Sequence, residues 1–248
     1  MLEKYFSGIG IDISEHHVRI AHVGFFGGIK STKEISIEEG LVFDEKILKP
    51  EALRKAIHKG LESMGFSSMQ LRATCLIPES RIFSTSFSLP SGYKQEEVMQ
   101  KAKIRAQKDI PILLEDARVT ISQGKKVNEE IQTTLYGVEK QTYQGLFDSV
   151  DKDDLQVVSM ETNTSSIFRL FQCFGFKELQ PVTDDQYIGI LDIGHAWATF
   201  ALYTRAGLTV CSRTVSFKRF DQKKKTDTVL PDAIVDILVE VVEETMLY

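Results

Sequence analysis

Apolar and polar positions along the chain are arranged in one pattern used twice. Gly10-Ile11-Asp12-Ile13-Ser14 closes an apolar run near the start, and Ile190-Leu191-Asp192-Ile193-Gly194 closes another far downstream. Each run ends in one Asp and a small residue, and each is followed by a second apolar run, at 18–23 and 198–203. A Gly-containing turn comes next, Gly27-Gly28 in one case and Gly207 in the other. A third β-rich run then spans 32–37 or 208–217. The reading is a β-hairpin plus a third strand, present as an internal near-repeat.

Between the two copies the periodicity changes to that of helices and back. Residues 50–64 read as a helix: Pro50 suits its first turn, Leu53, Ile57, Leu61 and Met64 share a face, and Gly65 can stop it. Residues 71–77 read as a strand ended by Pro78. The first copy therefore continues as βββαβ. Beyond Pro78 the chain becomes more polar. Residues 82–89 alternate like a half-exposed strand, and 94–108 form a polar helix with a thin stripe of Val98, Ala102 and Ala106, broken at Ile110-Pro111. Strands at 118–123 and 131–138 flank a polar turn at 124–130. This β-α-β-β stretch reads as an inserted subdomain.

Core-like material then returns. A helix is expected at 142–149 and a strand at 155–160. A helix at 165–174 puts Ile167, Leu170, Phe171 and Phe174 on one face and stops at Gly175. After the second Asp-ended strand and its partners, 218–227 reads as a charged loop. A final helix at 232–246 turns Ile234, Leu238, Val241 and Val242 inward.

Composition narrows the function classes. The 248 residues suffice for one large or two small domains, and 42% hydrophobic with 26% charged residues is ordinary for a globular protein. A net charge of -5 argues against nucleic acid as the main partner, because phosphate binding wants a clustered positive face. No apolar run approaches the ~20 residues that span a bilayer. The last helix carries Asp236, Glu240, Glu243 and Glu244 on its polar side, where a membrane-surface helix wants Lys and Arg, so direct membrane insertion is not expected. Cys75, Cys173 and Cys211 are far apart and embedded in apolar runs, so they read as buried free thiols of a reducing cytoplasm. No Cys/His spacing resembles a zinc site.

With these residues in hand, the chain resembles the PilM family of actin-like proteins of type IV pilus assembly and, more distantly, the FtsA cell-division proteins. The matching stretches are Gly10-Ile11-Asp12-Ile13 with Val18-Arg19, then Ile77-Pro78-Glu79-Ser80 and Ser88-Leu89-Pro90, the helix into Asp109-Ile110-Pro111, and Leu191-Asp192-Ile193-Gly194. The resemblance implies an α/β fold of the actin-like, ribonuclease H-like ATPase class in two lobes. The first lobe is expected at 1–186 with an inserted subdomain at about 79–140, and an abbreviated second lobe at 187–248. It implies a cytoplasmic scaffold that links a bitopic, PilN-like inner-membrane protein to the assembly machinery, including an assembly ATPase, and lies at the membrane's inner face through that partner. It also implies candidate cofactors, ATP and Mg²⁺, with Asp12 and Asp192 as water-mediated metal ligands, Asp192 as a catalytic candidate, and Gly10, Asp12, Ser14, Asp192, Gly194 and His195 as the phosphate-turn residues.

Departures from the family pattern bear on that site. The first turn of the family reads Asp-x-Gly followed by small hydroxyl residues, whereas here it reads Asp12-Ile13-Ser14-Glu15-His16. Glycine lets a backbone approach phosphate closely. Ser14 adds a side chain and Glu15 a negative charge, and two unit charges ~4 Å apart repel by about 4 kcal/mol at an effective dielectric of ~20. The second turn keeps Asp192 and Gly194 but continues as His195-Ala196-Trp197. The resemblance places the family's adenine-side Gly-Gly turn beyond the final helix and its subdomain IIB between Phe217 and Pro231, a stretch too short to hold it, so a degenerate nucleotide site is the expectation. Asp12 and Asp192 are then inherited turn-formers whose carboxylates cap local N–H groups.

Other suggestive residues have plainer readings. His16 and His17 are adjacent on a strand and point to opposite faces, so they do not share a ligand. His195 with Trp197 reads as packing, and Lys223, Lys224 and Lys225 as a solvated loop. The alternatives to the scaffold are an ATP-binding switch completed by a further segment, and an FtsA-like filament former. The scaffold reading predicts that an extended apolar peptide from the partner's tail binds the first lobe.

Overall fold

The computed structural model describes residues 8–24, 27–66, 70–127, 129–151, 155–174, 186–194, 197–205, 207–217 and 231–246. The chain divides into two compact units. The first comprises Met1–Arg81 with Glu139–Thr162, and the second Ile82–Val138 with Asn163–Tyr248.

The first unit is built on a five-stranded sheet. Its strands are β1 (Gly8–Ile13), β2 (His17–Val23), β3 (Ile29–Ser36), β6 (Leu71–Ile77) and β10 (Leu155–Thr162), in the order β10-β6-β1-β2-β3, with a short hairpin β4 (Val42–Phe43) and β5 (Lys46–Ile47) outside it. β2 lies between β1 and β3 and runs antiparallel to both, while β6 runs parallel to both β1 and β10. Helices α1 (Pro50–Ser63) and α3 (Lys140–Val150) supply the crossovers. The register sets Ile11 beside Ile20 and Cys75, and all three are buried. Alternation places Asp12 and Arg19 on the opposite face.

Helix α1 packs where its sequence allows close approach. Leu53, Ile57 and Leu61 are buried, as the periodicity requires. A Cβ on Gly60 would stand 2.1 Å from Ile35 Cδ1 and 3.1 Å from Ile20 Cδ1, so a larger residue there would force those side chains to shift. Gly65 stops α1 with φ +88°: its N–H donates to Glu62 O at 2.9 Å and the Phe66 N–H to Leu61 O at 3.0 Å. That pair of bonds is the Schellman arrangement, with Phe66 and Leu61 both buried beneath it.

The second unit holds two three-stranded sheets. One contains β7 (Ile82–Pro90), β9 (Glu130–Glu139) and β8 (Ala117–Val127), in that order, with α2 (Gln95–Asp109) between β7 and β8 in the chain. This is the β-α-β-β insert. Ala102 and Ala106 pack with Ile110 and Leu135 and with Phe83 and Phe87. β8 runs to Val127 and β9 starts at Glu130, so the expected turn at 124–130 is mostly strand.

The other sheet is β11 (Tyr187–Ile193), β12 (Trp197–Thr204) and β13 (Thr209–Ser216), all antiparallel. α4 (Asn163–Phe174) covers one face through Phe168, which stacks on Tyr203 at 4.7 Å. The helix here labelled α5 (Pro231–Met246) covers the other through Ile237 and Val241, against Ala198, Phe200 and Phe217.

Several expectations need correction. Phe168 is buried in α4 with Thr164, and Leu170 is exposed, because Thr164, Ile167, Phe168 and Phe171 form the stripe that meets the sheet. In α5 Leu238, Val241 and Val242 face the sheet as expected, Ile237 joins them, and the side chain of Ile234 lies outside the described residues. Cys173 is exposed rather than buried. The insert falls in the second unit. The polar face of the insert's sheet is a contact face within the second unit: Ser86 Oγ and Thr134 Oγ1 donate to Thr209 O at 2.6 and 3.0 Å, and Tyr136 OH bonds Thr209 Oγ1 at 2.9 Å. Alternation identifies such a face but not what it meets. Gly175 and Lys223, Lys224 and Lys225 lie outside the described residues.

Candidate functional site

The near-repeat recurs in three dimensions at both of its turns. Ser14 N–H donates to His17 O at 2.9 Å, and Gly194 N–H to Trp197 O at 2.8 Å. Further on, Gly27 N–H donates to Gly24 O and Gly207 N–H to Thr204 O, both at 2.9 Å, with Gly27 and Gly207 at φ +82° and +89°. Asp12 and Asp192 thus occupy equivalent positions, one in each unit.

Their surroundings differ. The Asp12 carboxylate accepts from Arg19 Nη1 at 3.3 Å, and Arg19 Nε donates to Glu34 at 2.8 Å. These three residues form a charged row across β1, β2 and β3. The Glu34 hydrogen bond, opposed by partial burial and reinforced by Asp12, raises the Arg19 pKa further above its ordinary value. Ser14 Oγ closes its own turn, donating to His17 O at 3.0 Å and accepting the His17 N–H at 3.2 Å. Gly10 lies mid-strand opposite Ala21. In the second unit Asn163 Nδ2 donates to Asp192 at 3.4 Å, and a Cβ on Gly194 would come 3.2 Å from Trp197 O. His195 lies outside the described residues. Among the described residues, no group of three or more His, Cys, Asp or Glu side chains is placed to hold a metal ion.

Glu15 turns toward the β4–β5 hairpin, which the sequence reading missed. Its carboxylate accepts the Asp44 N–H at 2.7 Å. Asp44 and Glu45 form the hairpin turn at φ +48° and +59°, a conformation that few non-glycine residues adopt. Arg81 Nη2 donates to Asp44 Oδ2 at 2.6 Å and to Asp44 O, and Ser80 donates to Glu45. Ser80 and Arg81 therefore hold the hairpin turn from one side and Glu15 from the other.

This hairpin builds an apolar pocket inside the first unit. Ile13, Val42, Ile47, Leu76, Pro78 and Leu146 line it. Glu45 and Thr142 are its polar members. Burial raises the Glu45 pKa above the ordinary 4.5, with Ser80 and Arg81 opposing the shift. Thr142 Oγ1 is buried and has no hydrogen-bond partner among the described residues. The recess is small, about 20 Å³, room for little more than one water molecule, with an apolar wall beside one unsatisfied hydroxyl and one half-buried carboxyl. No periodic signal in the sequence marks it, because β4 and β5 hold only two residues each, Val42-Phe43 and Lys46-Ile47.

Comparison with known proteins agrees with this architecture. Among curated protein sequences, none matches the chain at a significant level. Solved structures do. The PilM-PilN type IV pilus biogenesis complex aligns with a TM-score of 0.72 at 16% identity, covering 96% of this chain and 75% of that one. The cytoplasmic domain of EpsL, an inner-membrane component of the Vibrio cholerae type II secretion system, gives 0.52 at 11% identity, over 89% of this chain and 76% of that one. A Bacteroides thetaiotaomicron protein with an actin-like ATPase fold and unknown function gives 0.52 at 13% identity, over 98% and 78%. The fold is thus the actin-like ATPase fold. No helix among the described residues is long and apolar enough to cross a membrane. The sequence profile of type IV pilus assembly protein PilM matches residues 10–223, so this chain belongs to that family of pilus assembly proteins.

Proposed function

We propose that this chain is a peptide-capturing adaptor of pilus assembly, docking the cytoplasmic tail of a PilN-like bitopic membrane protein and carrying a degenerate nucleotide site. The observations that carry the reading are the likeness to a PilM-PilN complex and the small apolar recess at the β4–β5 hairpin, lined in part by Ile47 and by Thr142 with its buried hydroxyl. An extended tail would place an apolar side chain there and a main-chain group on Thr142. A structural relative in complex with PilN supports the choice of partner class. The assembly ATPase would be a second partner of the same adaptor.

The strand turns support the degenerate site. Phosphate recognition at such turns needs unengaged N–H groups and close backbone approach. Here Ser14 and Gly194 N–H groups are spent inside their own turns, Asp12 is paired with Arg19, and Glu15 is tied to Asp44. These residues do not fit ATP and Mg²⁺, and no reaction step is assigned to them. The protein would reach the inner face of the membrane through its partner.

The test is fluorescence anisotropy with a labelled N-terminal tail peptide of a PilN-like partner. Ile47→Glu should abolish binding, and the isosteric Thr142→Val should weaken it several-fold, the scale of one hydrogen bond of about 1 kcal/mol. Asp12→Ala/Asp192→Ala should bind like the parent. Unchanged affinity in both pocket variants, or loss of binding in the folded double-Asp variant, would overturn the proposal.

A further inference from the structure

The β4–β5 hairpin is fixed at its root by apolar burial and at its tip by polar contacts. At the root Leu41 and Val42 are buried, and the Leu41 carbonyl accepts the Leu48 N–H at 2.8 Å and the Lys49 N–H at 3.3 Å. At the tip Glu15 accepts the Asp44 N–H, Arg81 donates to Asp44, and Ser80 donates to Glu45. The ladder between has two pairs, Val42 with Ile47 and Phe43 with Lys46. A hairpin of that size does not hold itself together in water. Asp44 and Glu45 also stand in the left-handed region, which costs a side-chain-bearing residue conformational energy. The closed tip therefore depends on its three outside partners.

The recess under the hairpin, about 20 Å³, is too small for a leucine or isoleucine side chain unless a wall moves. Ile13, Leu76 and Leu146 belong to β1, β6 and α3, which pack into the core of the first unit. The hairpin wall, with Glu45 and Ile47, is the one held by breakable contacts. Across the tip the carboxylates of Glu15, Asp44 and Glu45 face the single cation Arg81. From the recess side Leu76, Pro78, Thr142 and Leu146 bring no charge, and Lys46 pairs with Glu139 at 3.6 Å. Burial raises the Glu45 pKa above 4.5; Ser80 and Arg81 oppose the shift, and Asp44 and Glu15 add to it. The closed tip is therefore firmest below 4.5 and loosens as pH rises through the closed-state value.

We infer that the hairpin is a proton-linked latch: it pivots at Leu41 and Val42, Glu15, Ser80 and Arg81 hold its tip shut, and ionisation of Glu45 eases it open over the recess. The inference rests on the tail-capture reading for what enters, and it supplies the movement that an entering side chain needs.

The probe is the thiol introduced by Thr142→Cys in the intact chain carrying Cys173→Ser/Cys211→Ser, labelled with a pyridyl disulfide that reacts at acid pH. It replaces a hydroxyl that is buried while the latch is shut. Cys75, buried in the same unit, reports unfolding. Glu15→Ala should speed labelling of the probe about tenfold, the scale of one hydrogen bond to a charged group, with Cys75 untouched. Glu15→Gln keeps the acceptor and should stay near the parent. Glu45→Gln should slow labelling several-fold against the parent at pH 8 and match it at pH 4. Unchanged labelling in Glu15→Ala, labelling of Cys75 in step with the probe, or a Glu45→Gln effect independent of pH would overturn the latch. Tail-peptide anisotropy without the probe thiol separates the two ideas. Glu15→Ala should bind the tail tighter in step with its faster labelling. Faster labelling with unchanged tail affinity keeps the latch and overturns the tail site.

Discussion

Glu45 is the residue whose environment makes the sharpest statement about pH. Its folded-state pKa is raised by burial, so the folded chain holds this proton more tightly than the unfolded chain does. The stabilisation from the protonated form is complete below the ordinary value of 4.5 and is lost as pH rises through the folded value. Glu45→Gln keeps a partner for Ser80 without the buried charge. It should raise the melting temperature at pH 8 relative to the parent, and the difference should vanish by pH 4. A difference of equal size at both pH values would contradict the burial account. The cysteines give a second residue-scale test. Burial pushes the Cys75 thiol up to about 12 and raises Cys211 as well, while Cys173 is exposed. A thiol reagent at pH 8 should label Cys173 first and Cys75 only on unfolding. The strand turns offer a third. An intact nucleotide site filled a hundredfold above its Kd would add about 2.7 kcal/mol, or roughly 5–10 °C for a chain of this size. Mg-ATP at millimolar concentration should leave the melting temperature within about 1 °C, and a multi-degree rise lost in Asp12→Ala would restore the ATP-switch alternative.

At the scale of elements, the sequence was most legible where one face of a regular period is buried. β6 and β11 fall at 71–77 and 187–193 as the alternation predicts, and α1 buries Leu53, Ile57 and Leu61. The α1 stop was legible because only one residue type does that work: Gly65→Ala, with open space around its would-be Cβ, should cost about 1–2 kcal/mol from the backbone alone. Helix α4 was misread by one position. Ile167, Leu170 and Phe171 fit an apolar face as well as Ile167, Phe168 and Phe171 do, and tertiary contact with Tyr203 decides between them. Phe168→Ala should therefore cost about 3–5 kcal/mol and Leu170→Ala about 0.5 or less, measured by denaturant unfolding. The β4–β5 hairpin was invisible for a different reason. Strands of two residues carry no period, and Asp44-Glu45 is not a glycine-bearing turn, so its positive φ values are imposed by Glu15, Ser80 and Arg81. Thus the strand turns of the candidate site were legible, and the pocket beside them was not.

For the whole molecule, the account separates an inherited framework from its present use. The repeat, the actin-like fold and the PilM family assignment concern the framework. The proposed tail site lies at the β4–β5 hairpin of the first unit, while the strand turns are closed on themselves. Hydrogen–deuterium exchange of the intact chain, with and without the PilN-like tail peptide, tests this most directly. The account predicts that added protection falls on residues 42–47 and on the start of α3 around Thr142, and that Asp12→Ala/Asp192→Ala gives the same map. Protection that spares the hairpin and appears at residues 12–17 or 192–197 would contradict it.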